Sequence, residues 1–295
     1  MYTTLISTAQ LRDLRASGKP QMLFDCSFEL MDAQAGDVQY REAHIPGAVR
    51  ADLDQHLSAK HGATGRHGTL SAEAPASGGR HPLPHREKFA IWLSSVGFAN
   101  DMQAVVYDRQ GANYCGRLWW MLKWAGHEAV AVLDGGLQAW QADGGEVTGD
   151  TEPAHFRSNF ALGVQLARLV DAKAVLDGLD SPAQTVLDAR AGARYRGETE
   201  PLDPVAGHIP GALNRPFGQN IAADGRFKPA AQLRAEFDAL LAGRDAASVV
   251  HQCGSGVSAL PNLIAMEIAG LPRTALYAGS WSDWCADPAR PVARG

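Results

Sequence analysis

Val249-Val250-His251-Gln252-Cys253-Gly254-Ser255-Gly256-Val257-Ser258-Ala259-Leu260 reads as a buried strand, a glycine-bearing loop and the start of a helix. Two β-branched residues sit in the strand and a cysteine stands at its C-terminal edge. Gly254 and Gly256 can take the positive φ angles that a tight cradle of backbone N–H groups requires. The apolar run Leu260, Leu263, Ile264 and Ile268 follows at roughly helical spacing, so the loop feeds a helix N-terminus with Ser258 as the expected N-cap. Pro261 falls in the first turn, where its missing N–H is tolerated.

Thiolates, not thiols, are nucleophiles, and a free cysteine has a pKa of about 8.5. Backbone donors and a positive helix end stabilise the thiolate without a basic neighbour, so Cys253 is a nucleophile candidate. The competing reading is a buried, inert cysteine at a strand end; two glycines within three residues and a following helix favour the reactive one. A cysteine phosphatase would need an arginine six residues after its nucleophile to clamp the phosphoryl group. Position 259 is Ala259, which excludes that class.

Working outward, 295 residues with 45% hydrophobic content leave room for two domains. The net charge of −5 arises from 27 basic and 32 acidic residues with no basic stripe, which argues against nucleic acid as a partner. Met1-Tyr2-Thr3-Thr4-Leu5-Ile6-Ser7 lacks a basic region and an apolar segment, and no run approaches the roughly 18 apolar residues of a membrane span. A cytoplasmic protein without membrane contact is expected. Cys26, Cys115, Cys253 and Cys285 form no C-x-x-C pair and are too sparse for a disulfide framework. His56, His61, His67, His81 and His85 are irregularly spaced in a segment rich in Gly, Ala and Ser, so neither a metal site nor a cofactor is expected.

The chain repeats itself. Glu42-Ala43-His44-Ile45-Pro46-Gly47-Ala48 recurs 164 positions on as Ala206-Gly207-His208-Ile209-Pro210-Gly211-Ala212. Leu133-Asp134-Gly135-Gly136-Leu137-Gln138-Ala139-Trp140 recurs 144 positions on as Tyr277-Ala278-Gly279-Ser280-Trp281-Ser282-Asp283-Trp284, as does Val105-Val106 as Val249-Val250. The 20-residue difference places an insertion in the first half, around residues 58–81.

Each half alternates short strands with helices, which implies a parallel sheet with helices on both faces and a site at the strands' C-terminal ends. Residues 1–145 are expected to form the first domain, 146–158 a linker rich in Gly and acidic residues, and 159–295 the second domain. Trp119, Trp120 and Trp124 fall near helical spacing and are read as packing against the sheet. Opposite Cys253, the 144-residue offset places Arg109, and a one-residue slip places Asp108. Neither is a cysteine, so one active site per chain is expected, with the first half supplying a wall of the cleft.

Cys253-Gly254-Ser255-Gly256-Val257-Ser258, the doubled His-Ile-Pro-Gly-Ala, Leu133-Asp134-Gly135-Gly136 and Gly279-Ser280-Trp281 together resemble the tandem rhodanese-domain sulfurtransferases. The loop is similar to the 3-mercaptopyruvate version, Cys-Gly-Ser-Gly-Val-Thr, rather than the thiosulfate version, Cys-Arg-Lys-Gly-Val-Thr. The resemblance implies two rhodanese-like α/β domains, each a central parallel sheet flanked by helices. It also implies a ping-pong transfer in which Cys253 takes sulfur as a persulfide, pyruvate leaves, and a thiol, cyanide or a thioredoxin-like protein collects the sulfur. Carried over, Arg194 would hold the donor carboxylate, and Gly254, Ser255, Gly256, Val257 and Ser258 would line the donor. Ser255, His81 and Asp54 would match a proposed relay.

The family often carries a second carboxylate-binding arginine in Glu-Pro-Glu-Pro-Arg, where this chain has Glu200-Pro201-Leu202-Asp203-Pro204. Arg190 or Arg196 would have to substitute for it, or serve as structural arginines instead. A thiosulfate sulfurtransferase and a catalytically silent binding module remain the alternatives.

Overall fold

The computed structural model describes residues 1–59 and 74–295. They form two compact units, the first of residues 1–59, 84–166 and 222–227 and the second of 74–83, 167–221 and 228–295. His61 and His67 lie outside the described residues, as does most of the expected insertion.

The first unit runs β1 (Leu5–Ile6), α1 (Thr8–Ala16), β2 (Gln21–Asp25), α2 (Ala35–Glu42) and β3 (Val49–Arg50). It continues with α3 (Arg86–Ser95), β4 (Gln103–Tyr107), α4 (Cys115–Trp124), β5 (Val130–Leu133) and α5 (Gly136–Ala142). The second runs β6 (Arg168–Val170), α6 (Ala172–Asp177), β7 (Thr185–Asp188), α7 (Gly192–Tyr195) and β8 (Leu213–Asn214). Then come α8 (Ala230–Leu241), β9 (Val249–Gln252), α9 (Leu260–Ile268), β10 (Ala275–Tyr277) and α10 (Ser280–Trp284).

Each unit holds a five-stranded sheet of the same order, β1-β5-β4-β2-β3 and β6-β10-β9-β7-β8, with every pairing parallel. The central strands β4 and β9 are buried along their whole length, as a sheet covered by helices on both faces demands. Ser7 starts α1 with a capping box, its hydroxyl accepting the Gln10 N–H while the Gln10 side chain returns to the Ser7 N–H. Trp119, Trp120 and Trp124 are buried in α4, in agreement with their reading as packing residues. Each unit has its own apolar cluster, around Val105, Tyr107 and Trp140 in the first and around Val250, Trp281 and Trp284 in the second.

The duplicated motif has a shared structural reason. His44 stacks on Tyr40 with ring centroids 3.9 Å apart, and its Nδ1 lies 2.7 Å from the Tyr40 carbonyl, while the Tyr40 hydroxyl donates to Ala48 O at 2.5 Å. His208 and Tyr195 reproduce this, with centroids 3.9 Å apart, Nδ1 to Tyr195 O at 2.8 Å and the hydroxyl to Ala212 O at 2.5 Å. The histidine therefore locks the turn that delivers β3 or β8 to the sheet. Beyond α5, the chain stays hydrogen-bonded along the first unit: Ser158 N–H donates to Ser94 O, Gly163 N–H to Ala125 O and Leu166 N–H to Lys123 O. Among the described residues no helix is long and apolar enough to cross a membrane.

Candidate active site

β9 delivers Cys253 to the C-terminal end of the second sheet, where the side chain is 1% exposed. Its backbone is fixed on both sides: Cys253 N–H donates to Ser280 Oγ at 3.1 Å, Trp281 N–H to Cys253 O at 3.0 Å and Ser282 N–H to Gly254 O at 2.9 Å. Gly256 adopts φ 74°, and a Cβ there would stand 2.2 Å from Ala278 O, so glycine is required twice over. Gly254 is not in the left-handed region. It keeps space beside the cysteine instead.

Ser258 does not cap α9, contrary to expectation. Leu260 N–H turns back to Val257 O at 3.1 Å, and the cap position falls to Ala259, with no side-chain cap. Among the described residues the N–H groups of Gly254, Ser255, Val257, Ser258 and Ala259 donate to no acceptor. Five unspent donors within the six residues after the cysteine make this loop a candidate anion cradle.

The first sheet settles which residue corresponds to Cys253. Asp25 pairs with Tyr107 and Asp188 with Gln252; Cys26 N–H donates to Tyr107 O at 2.8 Å and Ala189 N–H to Gln252 O at 2.9 Å. Asp108 is therefore the counterpart, and the 144-residue offset that favoured Arg109 was one residue short, misled by the valine doublet in both strands. Cys26 and Cys115, buried in the first unit, have thiol pKa values pushed well up by burial, then by neighbouring carboxylates, Asp25 and Asp108 for Cys26 and Asp108 for Cys115. Burial also raises Cys285. These three are held as thiols.

His81 belongs to the second unit, although its sequence position is in the first half. Its ring is buried and Nδ1 lies 2.8 Å from Ser255 Oγ. Asp54 lies in the first unit, where its N–H donates to Asp52 Oδ1 at 2.8 Å. His56, also in the first unit, stacks on Trp92, and the described residues contain no cluster of metal-ligating side chains.

Arg194 lies beside the loop: a Cβ on Gly254 would be 3.5 Å from its Nη1. The guanidinium is held from behind by Glu200, with Nη2 to Oε1 at 2.6 Å, and by Asp203 at 3.2 Å. Arg190 shares Glu200 with Arg194, its Nη1 lying 3.4 Å from Oε2. Arg190 is buried, donates to Asp188 and to Gly207 O, and stacks over Trp281 with the guanidinium carbon 4.6 Å from the ring centroid. Arg196 pairs with Glu198 on the surface. Leu202 contributes its N–H to Glu200 Oε1 at 3.1 Å, which helps to orient that carboxylate.

Residues 7–143 and 171–287 each match the rhodanese-like domain. The chain belongs to the rhodanese-like family. Over 298 residues this rhodanese-like chain is 43% identical to the "Probable 3-mercaptopyruvate sulfurtransferase" of Pseudomonas aeruginosa, spanning all of both chains. It is 32% identical to the thiosulfate sulfurtransferase of Bos taurus, covering 96% of this chain and 92% of the bovine one. In three dimensions it superposes on the 3-mercaptopyruvate sulfurtransferase from Leishmania major with a TM-score of 0.76 at 29% identity, covering 96% of this chain and 74% of that one.

One charged group beside the loop escaped the sequence reading of this rhodanese-like pair. Arg80 stands with its Nη2 3.2 Å from where a Gly254 Cβ would be, and its Nη1 donates to Asp203. The available signal was Gly78-Gly79 directly before a cation and a histidine, which read as part of a solvated loop.

Proposed function

We propose that the chain is a sulfurtransferase taking sulfur from 3-mercaptopyruvate onto Cys253 and passing it to a thiol, cyanide or a thioredoxin-like acceptor. The second unit is then the catalytic domain and the first a domain lacking the nucleophile. The observation that carries this reading is a buried cysteine followed by unspent N–H donors, with Arg194 beside Gly254.

In the donor step, the Cys253 thiolate attacks the donor sulfur and an S–S bond forms as the C–S bond breaks. The released electron pair goes to the methylene carbon as the pyruvate enolate. A proton supplied through the Ser255–His81 pair converts the enolate to pyruvate. The cradle's N–H groups hold the persulfide charge. The acceptor thiolate then takes the outer sulfur and Cys253 leaves as a thiolate. Arg194 offers the donor carboxylate a charge-assisted bond from a planar fork. The buried free thiols suit a reducing compartment such as the cytoplasm.

The test is kcat/KM for 3-mercaptopyruvate and for thiosulfate, with cyanide as acceptor, in wild type and Cys253→Ser. A preference for mercaptopyruvate that vanishes in the variant is the expected result. Wild-type activity in Cys253→Ser would end the mechanism, and a thiosulfate preference would reassign the donor.

A further inference from the structure

The two guanidinium groups beside Gly254 come from segments more than a hundred positions apart, yet they share one carboxylate. Asp203, 3% exposed, accepts from Arg80 Nη1 and from Arg194 Nη2. Glu200, 4% exposed, accepts from Arg194 and, at 3.4 Å, from Arg190. The arginines remain partly open, at 28% for Arg80 and 18% for Arg194. Turning either guanidinium out to solvent would strip a buried carboxylate of an ion pair, which favours keeping both arginines beside the loop.

Arg80 is also fixed through its main chain. Gly79 adopts φ 88°, with a Cβ there 2.4 Å from Gly279 O. The Arg80 N–H donates to Ser282 Oγ at 3.0 Å, and Ser282 N–H holds Gly254 O. One serine therefore ties the Arg80 backbone to the backbone of the nucleophile loop.

The nitrogens left unspent are those nearest the loop. Among the described residues neither Arg80 Nη2 nor Arg194 Nη1 has an acceptor, and these lie 3.2 and 3.5 Å from the Gly254 Cβ position. Arg80 Nε is buried and likewise has no acceptor. Donors on charged groups that are left unmet next to a nucleophile point to an anionic ligand.

We infer that Arg80 is a donor-binding residue that clamps the donor carboxylate together with Arg194, and that Asp203 is the positioning residue for both. This rests on the mercaptopyruvate reading. Arg80 and Arg194 are matched in charge by Glu200 and Asp203, as Arg190 is by Asp188. A singly charged carboxylate therefore leaves the cluster at one net negative charge, and a dianion would leave it at two. The clamp thus selects for monoanionic donors.

The experiment uses the full chain with Arg80→Gln and Arg80→Lys, reading persulfide formation on Cys253 with 3-mercaptopyruvate and with mercaptoacetone, which keeps the thiol and ketone but lacks the carboxylate. Arg80→Gln should raise KM for mercaptopyruvate about 10- to 100-fold, as expected for loss of a hydrogen bond to a charged group. Its kcat should change by less than about threefold, and Arg80→Lys should recover part of the loss. Turnover of mercaptoacetone should be the same in wild type and Arg80→Gln. An equal loss with both donors, or a wild-type KM in Arg80→Gln, would overturn the clamp while leaving Cys253 chemistry standing. If wild type formed no persulfide with mercaptopyruvate, the functional reading would fall and the clamp with it.

Discussion

The two units place different residues at the same point of the same fold. In the second, Cys253 is followed by donors with no acceptor among the described residues. In the first, the Asp108 carboxylate accepts the N–H groups of Gln110 at 2.9 Å, Ala112 at 3.1 Å, Tyr114 at 2.8 Å and Cys115 at 2.9 Å. One loop is occupied by its own side chain and the other is open to a ligand. The cradle is thus a property of the strand-loop-helix geometry, and the residue at the strand end decides whether it stabilises the fold or performs chemistry.

A second exchange accompanies the first. In the first unit, Arg109 reaches back to Asp25, Gln39 O and Ala43 O. In the second, the guanidinium contacting the equivalent Asp188 and Gly207 O comes from Arg190. A cation is needed beside this buried aspartate in both units. Its transfer from the loop to the β7 end leaves a glycine, Gly254, at the loop position that Arg109 fills in the first unit.

The sharpest way to break this comparison is to convert one loop into the other. Cys253→Asp should lose more than about 10³-fold in kcat/KM, because no nucleophile remains. Its Tm should stay at or above that of wild type, since the new carboxylate fills the cradle as Asp108 does. A well-folded protein with residual turnover, or a large fall in Tm, would show that the two loops are not equivalent.

The reverse change removes the internal anion. Asp108→Ala would leave four N–H groups unpaired, three of them buried, at a cost of about 3 to 5 kcal/mol in urea unfolding. Asp108→Asn should cost less, since the amide oxygen still accepts. The folded Asp108→Asn protein should keep its kcat, because the residue lies in the unit without the nucleophile. Loss of turnover at full folding would tie the first loop to the chemistry directly.

The strand-helix alternation, the duplication and the Cys253 loop were legible in the sequence, because each rests on local spacing. The glycine-bearing loop and the apolar run behind it are local signals, and they led to the C-terminal end of β9. Arg80 was not legible, since its meaning depends on Asp203 and Gly254, which only tertiary packing brings to it. The Arg109 alignment failed for a related reason: hydrogen-bond register, not residue similarity, fixes equivalence between strands. Ser258 looked like a cap by composition, but the turn at Val257 moved the helix start past it. The role assigned to Arg194 followed from the family motif, whereas its two buried carboxylate partners were visible only in three dimensions.

The remaining contrast lies inside the strands. The register that equates Asp108 with Cys253 equates Val106 with His251, so an apolar position in one unit is an imidazole in the other. His251 is buried, neither ring nitrogen has a hydrogen-bond partner among the described residues, and burial lowers its pKa to about 3. The folded pKa lies below the unfolded value of about 6.5, so the unfolded chain binds the extra proton between these limits. Stability from keeping this ring neutral is fully present above about pH 6.5 and is lost as pH falls, at about 1.4 kcal/mol per pH unit well below that value. His56 and His127, also lowered chiefly by burial, act in the same direction and remain in a His251→Val variant. The variant should therefore keep part of the acid sensitivity and lose one group's share, so that wild type and variant differ by about 1 kcal/mol more at pH 5.5 than at pH 7.5 in urea unfolding. Parallel pH profiles would mean that His251 is protonated in the folded protein, and the strand would then have to supply it with an acceptor.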